Sequence, residues 1–95
     1  GDVSDDVIHK YPMGVSDIQI IEMPIGATLL SVQEQRGMLT LWAIVRPGEL
    51  ESRVFRVYGT GQPLAHAWGV YLGTVQLNGG LVVHVFDCGT KRNGG

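Results

Sequence analysis

One cysteine, Cys88, stands among the 95 residues, so no disulfide can close within the chain. The fold must rest on its core, and a reducing compartment is the simpler setting. No apolar run approaches the ~20 residues that a membrane-spanning helix needs. No signal-peptide pattern opens the chain either. Its first residue is Gly1 rather than methionine, which points to a processed or tag-derived start. Positive charge is sparse. The net charge is −2 and the pI about 5.8, whereas nucleic-acid binders carry clustered lysine and arginine. Arg53 and Arg56 fall on opposite faces of their segment, and Arg46, Lys91 and Arg92 add no stripe. A nucleic-acid partner is not expected.

What is present reads as β structure. Fourteen glycines break the chain into short elements, and short elements between turns are strands more often than helices. Hydrophobic residues make up 44% and charged residues 17%, the balance of a folded domain. One domain of this length buries roughly 60–70% of its unfolded surface, enough for a modest core. Charge is uneven: residues 1–45 hold six acids against two bases, and residues 46–95 hold three against five. Residues 1–6, with Asp2, Asp5 and Asp6, read as an acidic disordered tail. Residues 7–88 read as a single β domain and residues 89–95 as a flexible tail. The terminal Gly94-Gly95 is like the end of a ubiquitin-like chain, but the long helix of that fold is missing.

Seven segments qualify as strands: Val7–Pro12, Asp17–Pro24, Ala27–Gln35, Met38–Arg46, Glu51–Tyr58, Gly69–Leu77 and Leu81–Asp87. A helix could hide only in residues 28–36. Arg36-Gly37 interrupts that stretch and its apolar residues fall on all sides, so it reads as two strands and a turn. The last pair has a definite register. A three-residue loop, Asn78-Gly79-Gly80, sets Leu77 against Leu81, Val75 against Val83 and Gly73 against Val85. That makes one face wholly apolar and leaves His84 opposite Thr74 on the other. Met38–Arg46 is apolar on both faces, with Leu39, Leu41, Ala43 and Val45 on one and Met38, Trp42 and Ile44 on the other. Such a strand is expected to be central and covered on both sides. With no helix to cover it, the cover is expected to be a second sheet, a closed barrel or a partner subunit. The expected fold is an all-β antiparallel sandwich or partly open barrel of about seven strands.

Three segments occur in order: "EMPIGATLLSVQEQRGMLTLWAIVRP", "FRVYGTGQP" and "YLGTVQLNGGLVVHVFD". They resemble a family of small uncharacterised proteins from bacterial genomes, phages and prophages. Its pattern reads LPxGAxxLSVQxQxG followed by LWA, then YGTGxP, then GTxQ and GGLVxHVF. The similarity covers about residues 8–87. It implies a compact β fold and a phage or mobile-element setting, and with the single cysteine a cytoplasmic location in the bacterial or infected cell is expected. It implies no activity and supplies no catalytic residue.

The chemistry-bearing residues are few. "YGTGQP", Tyr58–Pro63, has paired glycines. A dinucleotide fingerprint would need a third glycine where Leu64 stands, and a P-loop would need a nearby Gly-Lys-Ser/Thr. The loop is either a stiffened turn or a recognition loop whose freed amides, Thr60 and Gln62 meet a polar ligand or a peptide edge. His66 and Trp68 follow, and with Tyr58 and Tyr71 they form the densest aromatic and polar region. His9, His66 and His84 show no zinc spacing. His84 and Cys88 lie too far apart along one strand for a Cys–His catalytic pair. No catalytic residue, metal or cofactor is therefore expected. The first functional expectation is a non-enzymatic protein-binding module, homodimeric, with Tyr58, Thr60, Gln62, His66 and Trp68 meeting a partner and Trp42 anchoring a subunit interface. The alternative is a small-molecule-binding or enzymatic β-barrel with a pocket beside residues 58–71.

Overall fold

In a computed structural model, residues 4–65 and 68–91 are described. They form seven strands, β1 (Val7–Met13), β2 (Ile18–Pro24), β3 (Thr28–Gln35), β4 (Met38–Val45), β5 (Leu50–Gly59), β6 (Val70–Gln76) and β7 (Val82–Thr90), with a single 3-10 turn at Asn78–Gly80. Two antiparallel sheets result, ordered β1-β4-β3 and β2-β5-β7-β6. They stack as a sandwich and do not close into a barrel. His66 lies outside the described residues.

The alternation in each strand explains the stacking. Leu39, Leu41, Ala43 and Val45 of β4 point inward, as do Phe55 and Val57 of β5 and Val83 and Val85 of β7, and all are buried. Met13, Met23, Val32, Val75 and Leu77 complete the core. Burying each large side chain contributes about 1.5–3 kcal/mol. The sheets come closest where β6 passes β3. A Cβ built on Gly73 would stand 2.8 Å from a Val32 methyl, so glycine is what admits that approach.

The turns follow their residues. Arg36 and Gly37 both have positive φ, 52° and 83°, as a two-residue type I′ hairpin requires. Residues 28–36 are strand and turn, not helix. The β6–β7 hairpin has the expected register, with Val75 opposite Val83, Gly73 opposite Val85 and Thr74 opposite His84. The Leu77 N–H donates to the Leu81 carbonyl at 2.7 Å and closes the loop.

β4 is central in its sheet, but only one of its faces lies under a second layer. On the outer face Met38 is 53% exposed, and Trp42 and Ile44 are half-buried. The expectation of cover on both sides therefore fails among the described residues. The physical reason is that side chains of the same sheet screen this face. Lys10 Nζ donates to Gln35 Oε1 at 2.8 Å from one flanking strand to the other, and Thr40 on that face is buried. β7 also runs on to Thr90 rather than fraying after Cys88, because a register shift between Arg53 and Phe55 lets Thr90 pair with Arg53.

The sandwich has four edge strands, β1, β3, β2 and β6. Pro12 sits within β1 and Pro24 ends β2, removing ladder donors. Pairing shifts register between Leu29 and Ser31 in β3 and between Tyr71 and Gly73 in β6. Each edge thus carries a device that interrupts regular pairing.

Candidate functional site

The outer face of the four-stranded sheet gathers four of the seven aromatic residues, Tyr58, Trp68, Tyr71 and Phe86. β5 sets Tyr58 opposite His84 and Arg56 opposite Phe86. From the other side, β6 sets Tyr71 opposite Phe86 and Thr74 opposite His84. Alternate residues of a strand share a face, so His84 and Phe86 point away from the core that holds Val83 and Val85. Phe86 is the centre of the cluster. Tyr58, Trp68 and Tyr71 surround it with ring centroids at 5.7, 5.4 and 5.7 Å, all tilted or edge-on. Contacts of this kind are worth about 0.5–1.5 kcal/mol each beyond area burial. Phe86 and Tyr58 are buried and form the floor. Tyr71, 55% exposed, forms a wall, and Trp68, 45% exposed, packs on Phe86 outside the cleft's lining.

The loop after β5 is held by its own polar groups. Gln62 Oε1 accepts from the Gly59 N–H at 2.9 Å, and the Gln62 N–H donates to the Gly59 carbonyl at 3.1 Å. Gln62 Nε2 donates to Asp17 Oδ1 at 3.4 Å, tying the loop to the start of β2. The Tyr58 hydroxyl accepts from the Ala65 N–H at 3.3 Å. Loop, floor and walls enclose an open cleft of about 250 Å³, lined by Tyr58, Thr60, Gln62, Leu64, Tyr71, His84 and Phe86 together with Gly59 and Gly61. Among the described residues no aspartate, glutamate, lysine or arginine lines it.

A chain of side-chain hydrogen bonds runs along this cleft. The Tyr71 hydroxyl lies 2.6 Å from Thr74 Oγ1, Thr74 Oγ1 lies 2.9 Å from His84 Nδ1, and His84 Nε2 lies 2.8 Å from Thr60 Oγ1. Both imidazole nitrogens are thus engaged, and the ring is fixed in plane by two threonines on different elements. Cys88, half-buried, lies beyond the cluster with its Sγ 3.8 Å from the Trp68 carbonyl.

Of the residues expected from sequence, Tyr58, Thr60, Gln62 and Trp68 do come together. They play different parts. Tyr58 and Gln62 mainly hold the loop, Thr60 ends the polar chain, and Trp68 is an exposed ring on Phe86 outside the cleft's lining. Trp42 belongs to the other sheet, where Ile8, Leu30, Ser31, Gln33 and Trp42 line a shallow groove of about 280 Å³. His84, Phe86 and Leu64 were not expected in a binding site. The signal for the first two was available in the alternation of "LVVHVFD", whose second face holds both.

A family model described as Domain of unknown function (DUF7352) matches residues 4–93. The chain belongs to that family. No curated protein and no solved structure matches the chain.

Proposed function

We propose, from the premise of a family without an assigned activity, that this domain is a non-enzymatic protein-interaction module. Its binding site is the aromatic cleft beside residues 58–71. One observation carries the reading: exposed Tyr71 and Trp68 stand over a buried Phe86 floor on a hydrogen-bonded sheet, beside a loop fixed at Gln62 and Tyr58. Exposed aromatic side chains on a rigid scaffold supply contact area at low entropic cost, and tyrosine and tryptophan are enriched where binding energy concentrates. The resemblance to phage and prophage proteins and the single cysteine support a role as an accessory protein inside the bacterial or infected cell.

The test is selection from an unbiased displayed-peptide library on the immobilised domain, followed by binding to Tyr71→Ala and Trp42→Ala variants. Peptides that lose binding to Tyr71→Ala and keep it with Trp42→Ala support the cleft. The reverse pattern moves the site to the three-stranded sheet. No enrichment at all refutes the module.

A second reading is favoured by the other sheet. Ile8, Leu30 and Met38 are 63%, 47% and 53% exposed around half-buried Trp42 and Ile44, an apolar face that a second copy of the chain would cover. Sedimentation gives the solution mass. A dimer reduced to monomer by Trp42→Ala supports the face as a subunit interface, and a strict monomer at micromolar concentration rejects it.

A further inference from the structure

We propose that protonation of His84 turns the cleft into a carboxylate site, so that an acidic side chain of a partner protein docks there in acid. This rests on the reading of the cleft as a protein-interaction site and adds what that site recognises and when.

His84 is the one histidine in the lining, and histidine is the side chain that ordinarily changes charge between about pH 5 and 8. Its two ring nitrogens meet Thr74 Oγ1 at 2.9 Å and Thr60 Oγ1 at 2.8 Å. A neutral imidazole has one N–H and one bare nitrogen, so one threonine accepts from the ring and the other donates to it. An imidazolium donates from both nitrogens. Protonation therefore reverses one of the two contacts, whichever tautomer precedes it. A hydroxyl serves in either role, so the ring keeps both partners without moving. The threonine whose bond reverses is left with a free O–H. Thr60 and Thr74 are both exposed, so a ligand in the cleft can reach it. At Thr74 the Tyr71 hydroxyl, 2.6 Å away, can accept that hydrogen and offer its own instead.

The proton also brings a charge that has no counterion in the lining. Tyr58 stands opposite His84 on β5, Thr74 opposite it on β6 with Tyr71 behind, and Thr60 meets it from the loop. None carries a carboxylate. Farther along the face, Arg56 stands opposite Phe86, and Cys88 lies past Phe86 with its Sγ against the Trp68 carbonyl. Asp17, on the far side of the loop, accepts from Gln62 at 3.4 Å. His84 is half-buried, and a partly desolvated charge is costly without a partner. A ligand carboxylate supplies that partner: it accepts from the freed O–H and stands beside the imidazolium. A cationic side chain is repelled by the same charge.

The experiment titrates the full chain with sodium formate, against sodium chloride at equal ionic strength, at about pH 5 and about pH 8. Amide and imidazole chemical shifts follow binding. Expected in acid are saturable shifts at Thr60, Tyr71, Thr74 and His84, with affinity about tenfold or more weaker at the higher pH, as for a charge-assisted hydrogen bond. Thr60→Val, on an exposed loop, weakens binding in acid about two- to tenfold. His84→Gln abolishes the pH dependence. His9, exposed on β1 of the other sheet, is the internal control and shows no saturable response. Absence of saturable shifts in acid overturns the proposal, and so does equal affinity at the two pH values. A His9 response equal to that of His84 overturns it as well, because formate then pairs with any imidazolium. Peptides selected in acid that bind through Tyr71 but carry no Asp or Glu also overturn it, while leaving the interaction module standing.

Discussion

Replacing Gly69 with alanine tests how closely the segment between Trp68 and β6 packs on β7. Gly69 joins Trp68 to β6 with φ +90°, and a Cβ there would lie 2.6 Å from the Asp87 carbonyl oxygen and 2.9 Å from Cys88 Sγ. The first obstacle is backbone, so no rotamer change relieves it. Left-handed backbone costs a non-glycine residue about 1–2 kcal/mol. Moving the segment off β7 also loosens the pairing of Val70 with Asp87. One lost ladder bond adds about 0.5–1.5 kcal/mol. The sum is about 1.5–3.5 kcal/mol, against a total stability of roughly 5–14 kcal/mol for a domain of this length. Gly79→Ala is the control. Its φ is also positive, at +77°, yet nothing stands within 4 Å of the added carbon. It should lose only the conformational part, about 1–2 kcal/mol. Both variants gain the same small amount from a stiffer unfolded chain, so their difference isolates the close approach. Urea unfolding reads it out: with a slope of about 1–3 kcal/mol per molar, Gly69→Ala lowers the midpoint visibly further. Equal midpoints for the two variants would refute the packing of residue 69 against β7.

Phe55→Ala empties the middle of the sandwich, where Phe55 is fully buried; a loss of about 3–5 kcal/mol is expected by calorimetry. Asp87→Ala removes the carboxylate that accepts from Arg53 Nη2 at 3.0 Å, leaving an arginine whose side chain is 12% exposed with a weaker partner in Glu51 at 3.8 Å. It should destabilise by about 3 kcal/mol or more, whereas Glu22→Ala on the exposed outer surface should change little. Burial raises the Tyr11 phenol above its ordinary value near 10. The folded state therefore resists ionisation, so this contribution is constant below pH ~10 and falls as the unfolded phenol ionises above it. Tyr11→Phe should flatten that alkaline decline in urea midpoints, and an unchanged decline would count against the burial of Tyr11.

Local signals made much of this fold legible. "NGG" between alternating runs set the β6–β7 register, and Arg36-Gly37 marked a hairpin because a type I′ turn wants positive φ at both positions. The composition of "MLTLWAIV" marked a central strand but overstated its cover, since half-burial beneath neighbouring side chains is enough for tryptophan and isoleucine. The tail "CGTKRNGG" has no alternation, and only the distant partner Arg53 reveals that strand pairing reaches Thr90. The site was half visible for the same reason. Tyr58, Thr60, Gln62 and Trp68 are close in sequence. His84 and Phe86 join them only because β7 inserts between β5 and β6, a long-range order that period-two alternation does not encode.

The interrupted edges determine how this molecule can meet its neighbours. Two prolines and two bulges make lateral growth into ribbons unfavourable. Contact is left to the two broad sides, which carry different chemistry: aromatic and hydrogen-bonding on one, aliphatic around a single indole on the other. The two broad sides therefore present unlike surfaces, one rich in rings and polar groups and the other in aliphatic side chains.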